Sequence, residues 1–471
     1  MNQAAVIQEL IAETFPDYQN NSAKQQAIGE TESLFSLLKG ISPPKKSSGR
    51  FFSGFLLSKA KSDFTVDPPV SVDSNGQIYP YWKKQLDQAL RQLSERVQTV
   101  SLLDFGAIGD GKFDCTQAFK KAISSGKRRV LIPPGIYRTR GLKLPSYTEL
   151  IGSGTAKTKL VLAETAPKRE RLITNQQYLK GNHHIRIEGM ELDWNVNRLS
   201  EKDRTASGGT ASSGITLAHV KYAVIRNITI TDPGLHGVDV TSAIYDYSGD
   251  GQRARLGSRY IWVDQVEVKG FGDDGITTHH SDDILISNCF LHHPSGRAHK
   301  TGFSNSNGIE IDDGSQHVTL TNNLTAYCFG GVEIKAHETS SAASDTQLVG
   351  HYSYHDNRSY NFRHIGHHQK ADAQTQSAFG IRGTYLAAYF PQKTDLYLAS
   401  TPRALVISAY QKVAINHFLA KTTAETAPEK IALSVQYRAG EVYLKNVQLE
   451  NYETAKKPLR ISPETGRVKI G

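Results

Sequence analysis

From about residue 160 onward, short apolar runs of four to six positions alternate with turn residues, and no further helix is expected. The runs repeat. A Gly-(Ile/Val)-x-(Ile/Val/Leu/Thr) piece recurs at Gly214, Gly237, Gly275, Gly308 and Gly331, at intervals of 23, 38, 33 and 23 residues. The two long intervals hold loop insertions, YDYSGDGQRARLGS and HPSGRAHKTGFSNS, and removing them brings the period to the low twenties. A second β-rich piece follows each strand: VKYAVIRNITIT, SRYIWVDQVEVK, SDDILISNCFLH and SQHVTLTNNLTA. Several short strands per repeat without a helix are what one coil of a β-solenoid requires. A propeller needs longer four-stranded units, and a two-sheet sandwich would not hold the Gly-(Ile/Val) phase. The pattern predicts an all-β chain, a single-stranded right-handed parallel β-helix with a small helical N-terminal region.

Period-2 alternation then sorts the side chains. Val238 and Val240 face the core, which leaves Asp239 outside, and the same rule turns Thr277, Glu310 and Glu333 outward on following coils. Just before these strand positions sit His236, Asp274 and Asn307; two positions after them sit Thr241, His279, Asp312 and Lys335. Stacking gathers Asp239, Asp273, Asp274, Glu310, Asp312 and Glu333 onto one surface with Lys335 at its edge. Like charges so crowded cost stability, and a purely structural sheet has little use for them.

Residues 1–100 read differently, as a helical and loop region ahead of a β-helix at 101–471 with a capping helix near 115–124. One helix is expected over roughly 2–40, followed by the Pro/Lys/Ser stretch ISPPKKSSGR with Lys45, Lys46 and Arg50. Leu86, Ala89, Leu90, Leu93 and Val97 share one helical face. That stripe fits a helix packed on the next domain or a neck helix that self-associates.

Composition narrows the classes. With 38% hydrophobic and 21% charged residues this is an ordinary globular composition, and no apolar run is long enough to cross a membrane. The first residues lack a basic then apolar signal pattern, so export by a secretory signal is not expected. Cys115, Cys289 and Cys328 show neither metal spacing nor a disulfide framework and are read as small buried hydrophobes. The net charge of +9 suits an anionic polymer, but no nucleic-acid motif accompanies it.

The segment Asp104-Phe-Gly-Ala-Ile-Gly-Asp-Gly, with Asp114-Cys-Thr, Ala118, Ile123, VLIPPGIYRT and LIGSG, resembles the opening of the pectate-lyase-like β-helix superfamily over residues 102–154. That resemblance implies the fold. The superfamily includes polysaccharide hydrolases, lyases, epimerases and phage tailspikes. Residues 234–335 also resemble the polygalacturonase family of inverting glycoside hydrolases. Gly272-Asp273-Asp274 matches its GDD motif and Lys335 the Lys of its RIK motif, while Asn307 stands for its His and His236 for its first Asp.

Glycosidic hydrolysis needs one protonated and one ionised carboxyl group, and adjacent or alternate coils supply either working separation. Asp274 is the candidate acid, with Asp273, Glu310 or Asp239 as base. His236, Asn307, Glu333, Lys335, Thr277 and His279 are candidates for holding substrate. Asp282 and Asp283 are expected in a turn. His364, His367 and His368 are read as a surface loop or groove wall rather than a metal site, and no metal is assigned. Trp194, Tyr245 and Tyr247 are candidate sugar-stacking rings, with Trp194 alternatively in the core.

The leading expectation is a polysaccharide depolymerase acting on a bacterial surface glycan as a phage tailspike or appendage. It would be a homotrimer attached to phage tail proteins through residues 1–100. Two alternatives stand beside it: a lyase or epimerase on an acidic glycan, using Ca²⁺, and a glycan-binding appendage without enzyme activity. No nucleic-acid or membrane partner is expected. The location follows as the virion or the extracellular space, or the cytoplasm if the chain is not a phage protein.

Overall fold

A computed structural model describes residues 3–39, 59–61, 65–205, 209–245, 249–369, 375 and 377–471. Lys45, Lys46 and Arg50 lie outside the described residues, as does Tyr247.

The chain is a parallel β-helix. An eleven-stranded parallel sheet runs from Leu142–Leu144 to Leu459–Ile461, and a larger seventeen-stranded sheet closes the coils around a continuous apolar core. Ile215, Val238, Ile276, Ile309 and Val332 stand over one another in register, one per rung, and all are buried. The glycine that precedes each of them has a steric cause. A Cβ on Gly237 would lie 2.5 Å from the Gly275 carbonyl oxygen, and one on Gly275 would lie 2.5 Å from that of Gly308. The rungs pass too closely there for any side chain, which is why the Gly-(Ile/Val) phase persists.

Corners between the strands use left-handed backbone at non-glycine residues. Asn227, Gln265, Asn288 and Asn322 form one row with φ between +50° and +55°. Tyr222, Tyr260, Asp283 and His317 belong to another, with φ from +53° to +63°. Asn, Asp and His visit this region more readily than most residues because their short polar groups bond locally. Asp282 and Asp283 are therefore not in a turn: they begin the strand Asp282–Ser287, and Asp283 sits at a left-handed corner paired with Arg259.

The helix expected over 2–40 is two helices, α1 (Gln3–Thr14) and α2 (Asn21–Leu37), separated by a 3₁₀ turn at Pro16–Gln19. Pro16 disfavours helical backbone at Phe15, and the Asn20 side chain accepts from the Ser22 and Ala23 amides to start the second helix. Both lie along the outer flank of the β-helix, where Ile11 and Phe15 pack with Tyr352, Tyr385 and Leu419. Helix α3 (Lys83–Arg96) packs through Trp82 and Leu86 on Tyr260 and Leu285, so its stripe faces the β-helix. Helix α4 (Thr116–Ile123) buries Ala118, Phe119, Ala122 and Ile123 against the first coils. All three cysteines are buried and free. No helix among the described residues is long and apolar enough to cross a membrane.

Candidate active site

The outward positions of the eleven-stranded sheet align as the repeat requires: Asp239 opposes Thr277, Thr277 opposes Glu310, and Glu310 opposes Glu333. Loops rise around this face, so the outward side chains are buried by neighbours rather than by the core. A cavity of about 220 Å³ opens there, lined by His236, Asp273, Asp274, His279, Glu310 and Lys335, with His299, Asn305, Asp312, His337 and Tyr245 on its walls.

Asn307 joins two of the acids. Its side-chain amide donates to Asp274 Oδ1 at 3.0 Å and to Glu310 Oε1 at 3.0 Å, and its backbone N–H adds a second bond to Asp274 at 2.9 Å. Glu310 also accepts from Thr277 Oγ1 at 3.2 Å and pairs with Lys335 at 2.8 Å. Asp273 takes a different pair of partners: His299 Nε2 at 2.5 Å and His236 Nε2 at 3.5 Å. Burial, with Asp273 and Glu310 nearby, raises the Asp274 carboxyl well above its usual range. Burial would raise Asp273 too, but His236 and His299 outweigh it and hold this carboxyl below its usual range. Two adjacent aspartates are thus driven apart, one towards the acid and one towards the anion, the division acid–base catalysis uses.

Asp239 has no exposed surface and lies beneath the floor, 3.5 Å from His236 and 3.5 Å from His279. Burial raises it, the two imidazoles lower it, and the balance falls at about 2. Burial opposes charge on His279, yet Asp239 and Asp312 push it up to about 10. Lys335 is raised well above its ordinary value by Asp312, Glu310 and Glu333 against the effect of burial. Glu333 turns to Arg363, at 2.6 Å, and does not line the cavity.

Asp273, Asp274, Glu310, His236, Asn307, Lys335, Thr277 and His279 therefore come together at this cavity or in contact with its acids, while Asp239 underlies them and Glu333 stands aside. Trp194 is fully buried, with its N–H donated to the Glu170 carbonyl and Arg198 over its ring, so it is a core residue and not a sugar platform. Tyr245 is on the cavity wall, edge-on to His279. His364 and His367 are neither a surface loop nor a groove wall. Both are buried, His364 bonding the Ser340 carbonyl and His367 pairing with Asp250 at 2.6 Å.

His299, Asn305 and His337 line the cavity without having been singled out in the sequence, and His299 makes the shortest contact with an acid. It comes from the 293–306 insertion, which has no rung register from which to place it. It also lines a second cavity of about 960 Å³, walled by Lys202, Arg204, Tyr327, His355 and Lys393, so His299 stands between the two spaces. Two of the groups whose ligand atoms converge, His236–Asp273–Asp274 and His279–Glu310–Asp312, lie in the smaller cavity. Their charges are already opposed by one another, by His299 and by Lys335, and they are read as ion-pair networks.

Residues 99–334 match the family model described as rhamnogalacturonase A/epimerase, pectate lyase-like. A phage-related protein of Bacillus subtilis, YobO, is 42% identical over 393 residues, 83% of this chain and 48% of its own. The pre-neck appendage protein of Bacillus phage phi29 is 41% identical over 360 residues, 76% of this chain and 41% of its own. The crystal structure of the pre-mature gene product 12 of phi29 superposes with a TM-score of 0.74 at 38% identity, covering 83% of this chain and 50% of the other. The chain spans about half the length of the curated relatives it matches.

Proposed function

The chain belongs to the rhamnogalacturonase A/epimerase, pectate lyase-like family, and from that premise we propose that it is the glycan-cleaving body of a phage appendage. The substrate class is a bacterial surface polysaccharide. Asp274, kept protonated, gives its proton to the glycosidic oxygen of the leaving sugar, and ionised Asp273 acts as the base that takes a proton from water. Asn307 aims Asp274, while Lys335 and Thr277 fix Glu310 beside it. Asp239 has no path to a substrate and serves from below. The likeness to phage appendage proteins supports the virion as the setting and association with tail components; attachment through residues 1–100 and a trimeric working state are part of the same proposal.

The carrying observation is the different setting of two neighbouring carboxyl groups at the floor of one cavity, Asp273 between two imidazoles and Asp274 held by the Asn307 amides. The test is a panel of bacterial surface polysaccharides incubated with the purified chain and with an Asp273→Asn/Asp274→Asn double variant. The parent should release new reducing ends, and the variant should lose about 100- to 10,000-fold in rate while circular dichroism still shows the folded β-helix at the assay temperature. A variant that cleaves as fast as the parent removes the assignment. A second reading, lyase or epimerase action on an acidic glycan, is favoured by the cationic His236, His299 and Lys335 beside the acids, which could neutralise a uronate carboxylate. Products absorbing in the ultraviolet would select the lyase, and adsorption without products would select a binding appendage.

A further inference from the structure

Carboxylates and imidazoles alternate beneath and across the groove. Asp312 Oδ2 lies 3.6 Å from His279 Nε2, whose Nδ1 lies 3.5 Å from Asp239 Oδ1. Asp239 Oδ2 lies 3.5 Å from His236 Nδ1, and His236 Nε2 lies 3.5 Å from Asp273 Oδ2. His299 closes the row on Asp273 Oδ1 at 2.5 Å. The inner members are sealed: Asp239, Asp312, His236 and His279 are all at most 7% exposed. Neither oxygen of Asp239 or of Asp312 has a hydrogen-bond partner, nor do the facing Nδ1 atoms of His236 and His279. A buried carboxylate without donors persists only beside fixed opposite charge. Among the described residues, the row is also faced by Asp274 at His236, by Lys335, His337, Arg363 and His280 around Asp312, and by Glu310 with Lys335 near His299. Asp313 backs His337, and the Tyr245 ring abuts His279.

We propose that this row is a charge ladder that decides which of the two adjacent aspartates keeps the proton, with His299 and His279 as its positioning residues. Two imidazolium neighbours fix the negative charge on Asp273. Asp274, held through Asn307 and faced by Asp273 and Glu310, is then the member that stays protonated. His299 is delivered by the 293–306 insertion, and it borders both cavities, so an occupant of the larger space touches the residue that sets the acid next door. The use of the ladder in cleavage rests on the function proposed above; its charge assignment does not.

The variants are His299→Gln, which keeps an N–H donor but cannot carry charge, and His279→Gln, three links away from Asp273. Removing a cation beside Asp273 makes its ionisation harder, so the acid limb of the kcat/KM profile should move up by about one pH unit in His299→Gln. The shift should run the same way but be smaller in His279→Gln. A merely structural role would lower activity without moving the limb. The same question is put without substrate by carboxyl ¹³C titration of aspartate-labelled protein, with Asp273→Asn assigning the resonance. The Asp273 carboxyl should titrate at higher pH in His299→Gln than in the parent. An unchanged Asp273 titration overturns the ladder whatever the activity does. A shifted titration in a chain that cleaves no glycan keeps the ladder and sinks the hydrolase instead.

Discussion

Two buried clusters of the same chemistry sit on different sheets of this β-helix. In the groove, acids and imidazoles surround a space of about 220 Å³. On the larger sheet, Asp283, His317 and Asp345 occupy left-handed corners of successive coils, and the 65–70 segment lays Asp67 over them. The Asp67 N–H donates to Asp345 at 2.7 Å, Thr65 meets His317 at 3.0 Å, and Arg382 binds Asp345, Glu32 and the Asp67 carbonyl. The space left at Arg382 is about 10 Å³, scarcely one water. A crowd of titratable groups therefore does not mark a reaction site by itself. Access separates the two: one cluster opens to a ligand, the other fastens the N-terminal segment to the solenoid.

The comparison breaks most visibly at Arg382. Arg382→Ala strands a buried Asp345 and should cost about 3–5 kcal/mol of stability, seen as a lower calorimetric melting temperature, while cleavage well below melting stays at the parental rate. Loss of cleavage without loss of stability would mean that the two clusters are coupled.

pH sharpens it next. Burial, with Asp345 and Asp283 adding and His317 opposing, raises Asp67 to about 7. Burial opposes charge on His317, but Asp283, Asp67 and Asp345 push it up to about 9. The sign is the same for both. An acid whose folded value is raised to about 7 costs stability as pH climbs from its unfolded value near 3.8 up to 7, and no further above that. A raised imidazole contributes stability in full below its unfolded value near 6.5 and loses it as pH rises through 9. Thermal stability should fall from pH 6 to pH 9, and Asp67→Asn should flatten the lower part of that fall. A stability that rises over this interval would show that the segment is held otherwise. The smallest effect is expected at Lys393→Ala, which removes an exposed pair with Glu429 and should leave the melting temperature where it was.

The sequence carried the fold through a steric phase. Glycines at Gly237, Gly275 and Gly308 mark close rung contacts, and the valine or isoleucine after each marks the core. The same phase aligned Asp239, Thr277, Glu310 and Glu333, because parallel register converts a repeat into a column. What lay outside the phase was illegible. His299 reaches Asp273 from an insertion, and Asp67 meets His317 across 250 residues, with no local pattern for either contact. Glu333 is aligned but does not line the cavity, since a neighbour on the next rung, Arg363, pairs with it. Asp282-Asp283 read as a turn because left-handed corners here are filled by ordinary residues instead of glycine.

One consequence follows from where the insertions leave the coil. The 293–306 loop exits and re-enters on neighbouring rungs, while the strands on either side keep their pairing, Thr277 to Glu310 among them. Lengthening a flexible loop adds little closure entropy, and each coil answers only to the ones above and below. Such a molecule can exchange its wall segments, and with them the shape of the space above the trench, while the side chains at its bottom keep their places.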